Sequence, residues 1–201
     1  MIDLKHKHVL NIIFNHKSTS EHKDVIEFIN NLKRSYEYIR IENIATSSEG
    51  RDIPLLIIGN PLPESPESMK DDDRIVVYIQ GNIHAGEVEG KEASLMFARD
   101  ILKTGDSELL KKAVILICPI LNPDGNDKIS ANNRTSQNGP VSGVGVRYNG
   151  QFLDLNRDAL KAESPEVKGR YLAPQWGMGF YPYPVYKLVN NTGMNSVPYC
   201  N

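Results

Sequence analysis

An α/β fold is predicted for this 201-residue chain on three observations. Two short continuous apolar runs, residues 74–83 and 113–121, have the length and aliphatic content of buried strands. An amphipathic helical stretch, residues 87–103, lies between them, and a strand–helix–strand order of this length argues for a right-handed parallel unit. Upstream, two further aliphatic segments flank a turn-rich stretch and read as a hairpin.

Residues 20–36 read as a helix: Ser20 can cap it, and Val25, Ile26, Ile29 and Leu32 recur at helical spacing. Tyr36, Tyr38, Ile39, Ile41 and Ile44 suggest the first strand. Ser47 to Asp52 is turn-like, and residues 53–58 form the second strand of the hairpin. Residues 60–73, rich in proline and acid, form a surface loop. The run Ile-Val-Val-Tyr-Ile in residues 74–83 is read as a central strand. In the helix that follows, Ala93, Met96, Phe97, Ile101 and Leu102 are the expected buried stripe. Residues 122–152 are polar and glycine-rich, and a loop of that length inside a compact domain is usually functional. The chain shows no internal repeat. Residues 171–201 hold seven of the fifteen aromatics, four prolines and no acidic residue, which sets a divergent tail, residues 170–201, apart from residues 1–169.

Composition excludes several partners. A net charge of -2 offers no basic excess for nucleic acid or an anionic membrane. No apolar run approaches the roughly 20 residues that span a bilayer. The stretch 9–14 is too short for a signal peptide, so either the protein is cytosolic or a leader lies outside this sequence. Of two cysteines, Cys118 sits in an apolar run and reads as core, and Cys200 lies in the tail.

Three motifs carry chemistry. His84-Ala85-Gly86-Glu87 follows the first buried strand, where ligands bind in open α/β sheets. An imidazole and a carboxylate three residues apart on a turn can close on one metal ion, and Gly86 permits a tight backbone. The competing reading makes Glu87 a helix cap and His84 an ordinary loop residue. Asn122-Pro123-Asp124-Gly125 follows the second buried strand and reads at least as a tight turn. Asp154-Leu155-Asn156-Arg157-Asp158 closes the long loop. There Arg157 can grip a carboxylate with its fork and Asn156 can add a bond, or Arg157 can form a structural salt bridge to Asp154 or Asp158. Arg134 and Arg147 lie between the last two motifs. His6, His8, His16 and His22 crowd the N-terminus and read as solvated surface.

Together, Gly81-Asn82-Ile83-His84-Ala85-Gly86-Glu87-Val88-Glu89-Gly90, Asn122-Pro123-Asp124-Gly125 and Asp154-Leu155-Asn156-Arg157 resemble the zinc metallocarboxypeptidase family in order and spacing over residues 36–168. The resemblance implies a mixed, twisted sheet of about eight strands with helices on both faces. It also implies that His84 and Glu87 are two zinc ligands, with a second histidine downstream completing the set. Asn156 and Arg157 would bind the free C-terminal carboxylate of a peptide or protein substrate. Arg134 in Asn132-Asn133-Arg134 would help polarise the scissile carbonyl. The implied chemistry is hydrolysis by a zinc-activated water, with a glutamate as general base.

The sequence departs from that pattern in two ways. No histidine follows His84 and no acidic residue follows Glu166, so neither the third zinc ligand nor the family's catalytic glutamate is present. The expectation is an incomplete catalytic domain that retains zinc weakly, has no peptidase activity by itself and exposes an apolar sheet edge. Two other functions fit some of the same residues. One is an aspartoacylase-like zinc amidohydrolase of N-acyl amino acids, although the 83 residues before His84 favour the carboxypeptidase pattern. The other is a non-catalytic binder of peptide C-termini.

Overall fold

The computed structural model describes residues 18–105, 107–171 and 176. The expectations for residues 9–14, for His6, His8 and His16, and for the tail beyond Tyr171 other than Trp176, Cys200 included, lie outside the described residues. Helix α1 spans His22–Ser35 and is followed by strands β1 (Ile39–Thr46) and β2 (Asp52–Ile58). Strand β3 (Ile75–Gln80), helix α2 (Glu89–Thr104), the short helix α3 (Ser107–Leu110) and strand β4 (Ala113–Cys118) come next. Two short helices, α4 (Pro123–Asn126) and α5 (Pro165–Arg170), and a single 3-10 turn at Glu67–Asp71, within the loop before β3, complete the described elements.

The four strands form one sheet in the order β1-β2-β4-β3. β1 pairs antiparallel with β2, which pairs antiparallel with β4, while β3 and β4 run parallel, so the sheet is mixed. Four strands lie among the described residues, where the resemblance implies about eight. The parallel step is the strand–helix–strand unit expected from the sequence, and the hairpin is β1–β2.

Side-chain alternation along the strands builds a core on each face. On one face Leu56, Ile58, Ile115 and Ile117 meet Phe28, Ile29 and Leu32 of α1 and Leu95, Ala98 and Leu102 of α2. On the other, Ile53, Leu55, Ile57, Leu116 and Cys118 meet Leu155, Val167 of α5 and Trp176. Helices therefore cover both faces. Trp176, inside the segment set apart as a tail, is buried, and the Arg40 guanidinium stacks on it at 5.1 Å from the ring centroid. Cys118 is a core residue as expected, and burial pushes its thiol up to about 12.

Several expectations are corrected. α1 starts two residues late because Glu21, not Ser20, is its N-cap: Asp24 accepts from the Glu21 amide, the reciprocal half of a capping box. Ser20 instead donates to Glu92 at 2.8 Å. β1 begins at Ile39, since Tyr36 caps α1 and Tyr38 is exposed. α2 starts at Glu89, so Glu87 precedes it and caps nothing.

The buried stripe of α2 is Lys91, Ser94, Leu95, Ala98, Ile101 and Leu102, while Ala93 and Phe97 are exposed and Met96 is half-buried. The cause is Lys91, fully buried, whose ammonium donates to the Ser20 carbonyl and to Asn126 Oδ1 at 2.7 Å. That anchor rotates the helix away from the face that hydrophobicity alone selects. β3, read as central, pairs only with β4 among the described residues, and Ile75 on it is 66% exposed. Among the described residues no helix is long and apolar enough to cross a membrane.

Candidate functional site

The site lies at the carboxyl ends of β3 and β4. After β3, Asn82 adopts φ 61°, a left-handed conformation that asparagine tolerates better than most residues. Its side chain donates to the Ala85 carbonyl at 3.1 Å, closing the turn that presents His84 and Glu87. Gly86 is required here for space. A Cβ on it would lie 2.8 Å from the Gly145 carbonyl oxygen and 2.3 Å from Arg134 Cδ.

After β4, Asn122 caps α4 by accepting from the Gly125 amide at 2.9 Å. Its amide donates to the Arg147 carbonyl at 3.3 Å, joining the two ends of the long loop. Asp124, fully buried, accepts from Ser47 Oγ at 2.6 Å, Arg51 Nη1 at 2.8 Å, and Ser48 Oγ and the Glu49 amide at 3.1 Å each. This motif is thus more than a turn: it pins the β1–β2 hairpin tip to the site end of the sheet.

His84 is buried between two carboxylates. Its Nδ1 lies 3.1 Å from Glu87 Oε1 and its Nε2 lies 3.1 Å from Asp154 Oδ1. Arg134 Nη2 donates to Glu87 Oε1 at 2.8 Å, and Arg147 Nε donates to Asp154 Oδ2 at 2.9 Å. The hydrogen bond from His84 holds the Glu87 carboxyl below its usual range against the opposing effect of burial, and Arg134 adds to the lowering. For Asp154 burial works upward, but hydrogen bonds from Arg147, His84 and the Asn156 amide outweigh it and leave the carboxyl lowered.

The Asp-Leu-Asn-Arg turn is thereby tied to the His-x-x-Glu turn through Asp154. Asn156 and Arg157 are exposed on that turn, their amides bonded to Asp154 Oδ1 at 3.0 Å and to the Asp154 carbonyl at 2.9 Å. The structural salt bridge considered for Arg157 is not formed: Asp154 is engaged by His84 and Arg147, and Asp158 by Ser164 and the Glu163 amide. Among the described residues the Arg157 guanidinium forms no ion pair. His22 is not a ligand either. Its Nε2 faces the Asp52 carbonyl at 2.7 Å.

Whether this pair suits zinc is a question of donor chemistry and spacing. Tetrahedral ligands about 2.0–2.1 Å from zinc lie about 3.3 Å from one another. The 3.1 Å between His84 Nδ1 and Glu87 Oε1 is close to that value. With Asp154 accepting from Nε2, the imidazole can present a bare Nδ1 to a cation in exchange for its bond to Glu87, the usual arrangement behind a ligating histidine. Among the described residues no group of three or more His, Cys, Asp or Glu gathers to hold a metal. The residues therefore fit half of a zinc site.

Sequence reading missed Asp154 as the partner of His84, since the two are separated by 70 positions and only the fold joins them. It also missed Glu166. This residue is fully buried and accepts from Asn149 Nδ2 at 3.2 and 3.1 Å, fixing the turn just before Asp154. Burial pushes its carboxyl up, and nearby Asp124 and Asp158 add to this. A carboxyl raised on folding favours the folded state below its unfolded value, about 4.3. That contribution is lost as pH rises through the folded value. Glu166→Gln is therefore expected to raise the melting temperature at pH 7. The gain should shrink on acidification and vanish by pH 4, and a gain of equal size at both pH values would contradict the assignment.

Comparison with known proteins agrees on one family. A family model described as zinc carboxypeptidase matches residues 25–174. Human carboxypeptidase Z is 31% identical over 153 residues, covering 73% of this chain and 22% of the relative. Human carboxypeptidase D is 30% identical over 150 residues, covering 73% of this chain and 10% of the relative. The chain thus spans under a quarter of the length of these relatives. Among solved structures, a metallo-carboxypeptidase from Burkholderia cenocepacia superposes with a TM-score of 0.59 at 21% identity, covering 79% of this chain and 38% of that one. A metallo-carboxypeptidase from Pseudomonas aeruginosa gives 0.55 at 23% identity, covering 80% and 38%. These last two likenesses bear on the fold.

Proposed function

The chain belongs to the zinc carboxypeptidase family, and from that premise we propose that it supplies the metal-binding pair and the carboxylate-recognition turn of a peptidase acting at peptide C-termini. The observation that carries this reading is the bond between His84 Nε2 and Asp154 Oδ1, which brings the two motifs into one site. Residues 1–169 form the N-terminal part of the catalytic domain in this reading, and residues 170–201 diverge from it.

His84 Nδ1 and Glu87 would hold zinc, with Asp154 fixing the imidazole. Bound there, zinc supplies a Lewis acid for the scissile carbonyl and lowers the pKa of a water. Arg157 and Asn156, exposed and unpaired with Asp154 or Asp158 through their side chains, would take the terminal carboxylate of the substrate, the guanidinium as a two-pronged donor. Anchoring that charge places the last peptide bond and excludes substrates without a free end. Arg134 would donate to the carbonyl oxygen as charge develops on it.

The sequence holds no histidine after His84 and no acidic residue after Glu166, so the pair by itself retains zinc weakly and the chain by itself does not turn over. Zinc titration with a peptide hydrolysis assay tests this. Tight stoichiometric zinc binding with turnover would overturn the expected inactivity. Carboxylate recognition is tested separately: the chain is expected to bind a blocked peptide acid more tightly than its amide. Arg157→Ala should lose about 1.5–3 kcal/mol of that preference, the range for a hydrogen bond to a charged group. Equal binding of acid and amide by the parent chain would refute the role of the turn.

A further inference from the structure

The His-x-x-Glu turn is covered on one side by residues 130–144. Arg134 Nη2 donates to Glu87 Oε1 at 2.8 Å, and Gln137 Nε2 donates to the Gly86 carbonyl at 3.1 Å. The stem of Arg134 crosses directly over Gly86. The loop is closed at its base by reciprocal bonds between Ser130 and Val144 at 3.1 and 3.3 Å. Beside the arginine is a recess of about 300 Å³, lined by Asn133, Arg134, Thr135, Gln137, Gly143 and Val144. Arg134 itself has φ 53°, a left-handed conformation that a long side chain adopts only where its surroundings hold it.

We propose that Arg134 is a displaceable counter-ion of Glu87. Without metal, its guanidinium neutralises the carboxylate and holds the 130–144 loop down on the site. A divalent cation that takes the carboxylate expels the guanidinium into the adjoining recess. The inference rests on the reading of His84 and Glu87 as a metal pair. Its physical basis is competition: Glu87 Oε1 already serves both His84 and Arg134, and a dication closing on it repels a guanidinium 2.8 Å away. Arg147 has no such conflict, because it pairs with Asp154 on the opposite side of the imidazole. The competition is reciprocal, so whatever loosens Arg134 tightens metal and the reverse. It also means that the guanidinium assigned to the substrate carbonyl is released only once the cation is in place.

The test uses the full chain and zinc chloride against a competing chelator, with Glu87→Gln, Arg134→Gln and Arg134→Lys alongside the parent. Arg134→Gln should bind zinc about two- to fivefold more tightly, the range a partly exposed ion pair supports, and Arg134→Lys should behave like the parent. Amide exchange supplies a second readout. The Ser130, Gly143 and Val144 amides should exchange several-fold faster when zinc is added to the parent, and should already be fast in metal-free Arg134→Gln. Zinc binding that Glu87→Gln abolishes but Arg134→Gln leaves unchanged or weakens overturns the clamp alone. So does loop exchange that zinc does not alter. Absence of zinc binding in both the parent and Arg134→Gln overturns the metal pair and the clamp together.

Discussion

Asp124→Ala is expected to destabilise the protein by about 3–5 kcal/mol, the cost of removing one side of a buried charged network. The carboxylate is fully buried and holds four donors: two serine hydroxyls, one backbone amide and the Arg51 guanidinium. Alanine leaves Ser47 Oγ without its acceptor in a site that water cannot easily refill. A Cβ on Gly150 would already lie 2.5 Å from Asp124 Oδ2, so the surroundings are tight. Arg51 keeps partial compensation through Glu49 and Asp127, which limits the loss. Typical domains have about 5–15 kcal/mol in total, so a substantial unfolded population should appear in thermal or urea unfolding at neutral pH. A loss under about 1 kcal/mol would show that Asp124 is a turn residue and no more.

This effect also marks where sequence reading stops. The aliphatic runs of β3 and β4 and the hairpin were legible because strand burial follows from residue type. So were His84 and Glu87, because the turn that presents them is local. The two-faced core follows from the same alternation. What could not be read were the bonds that only tertiary structure creates. Asp124 reaches back 77 positions to Ser47. Lys91 turns inward because the Ser20 carbonyl and Asn126 wait for it, reversing the ordinary preference of lysine and shifting the stripe of α2. β3 carries a central-strand composition but has one strand neighbour among the described residues. Arg134 and Arg147 look alike in sequence. Their distinction, one on the Glu87 side of the imidazole and one on the Asp154 side, is purely spatial.

The second large effect concerns Asp154. Asp154→Asn is expected to weaken zinc binding about 10- to 100-fold, the usual cost of removing a carboxylate behind a ligating histidine, while the fold is retained. The reason lies in the donor count. Asp154 Oδ1 accepts from His84 Nε2 and the Asn156 amide, and Oδ2 accepts from Arg147 Nε, so both oxygens face donors. An asparagine offers one oxygen and one NH2 group and cannot serve both sides. If its oxygen stays toward His84, the NH2 faces Arg147 and that arginine is released. If its oxygen turns toward Arg147, the NH2 faces Nε2 and the imidazole proton moves to Nδ1, the nitrogen that must be bare to take a cation. Nitrogen-15 spectra of the ring distinguish the branches by tautomer, and both weaken the metal. Where the NH2 group takes the place of Oδ1, affinity for a peptide acid should also fall, because the Asn156 amide then loses its acceptor on that side chain. Zinc affinity within twofold of the parent would sink the assignment of Asp154, and with it the bond that joins the two motifs into one site.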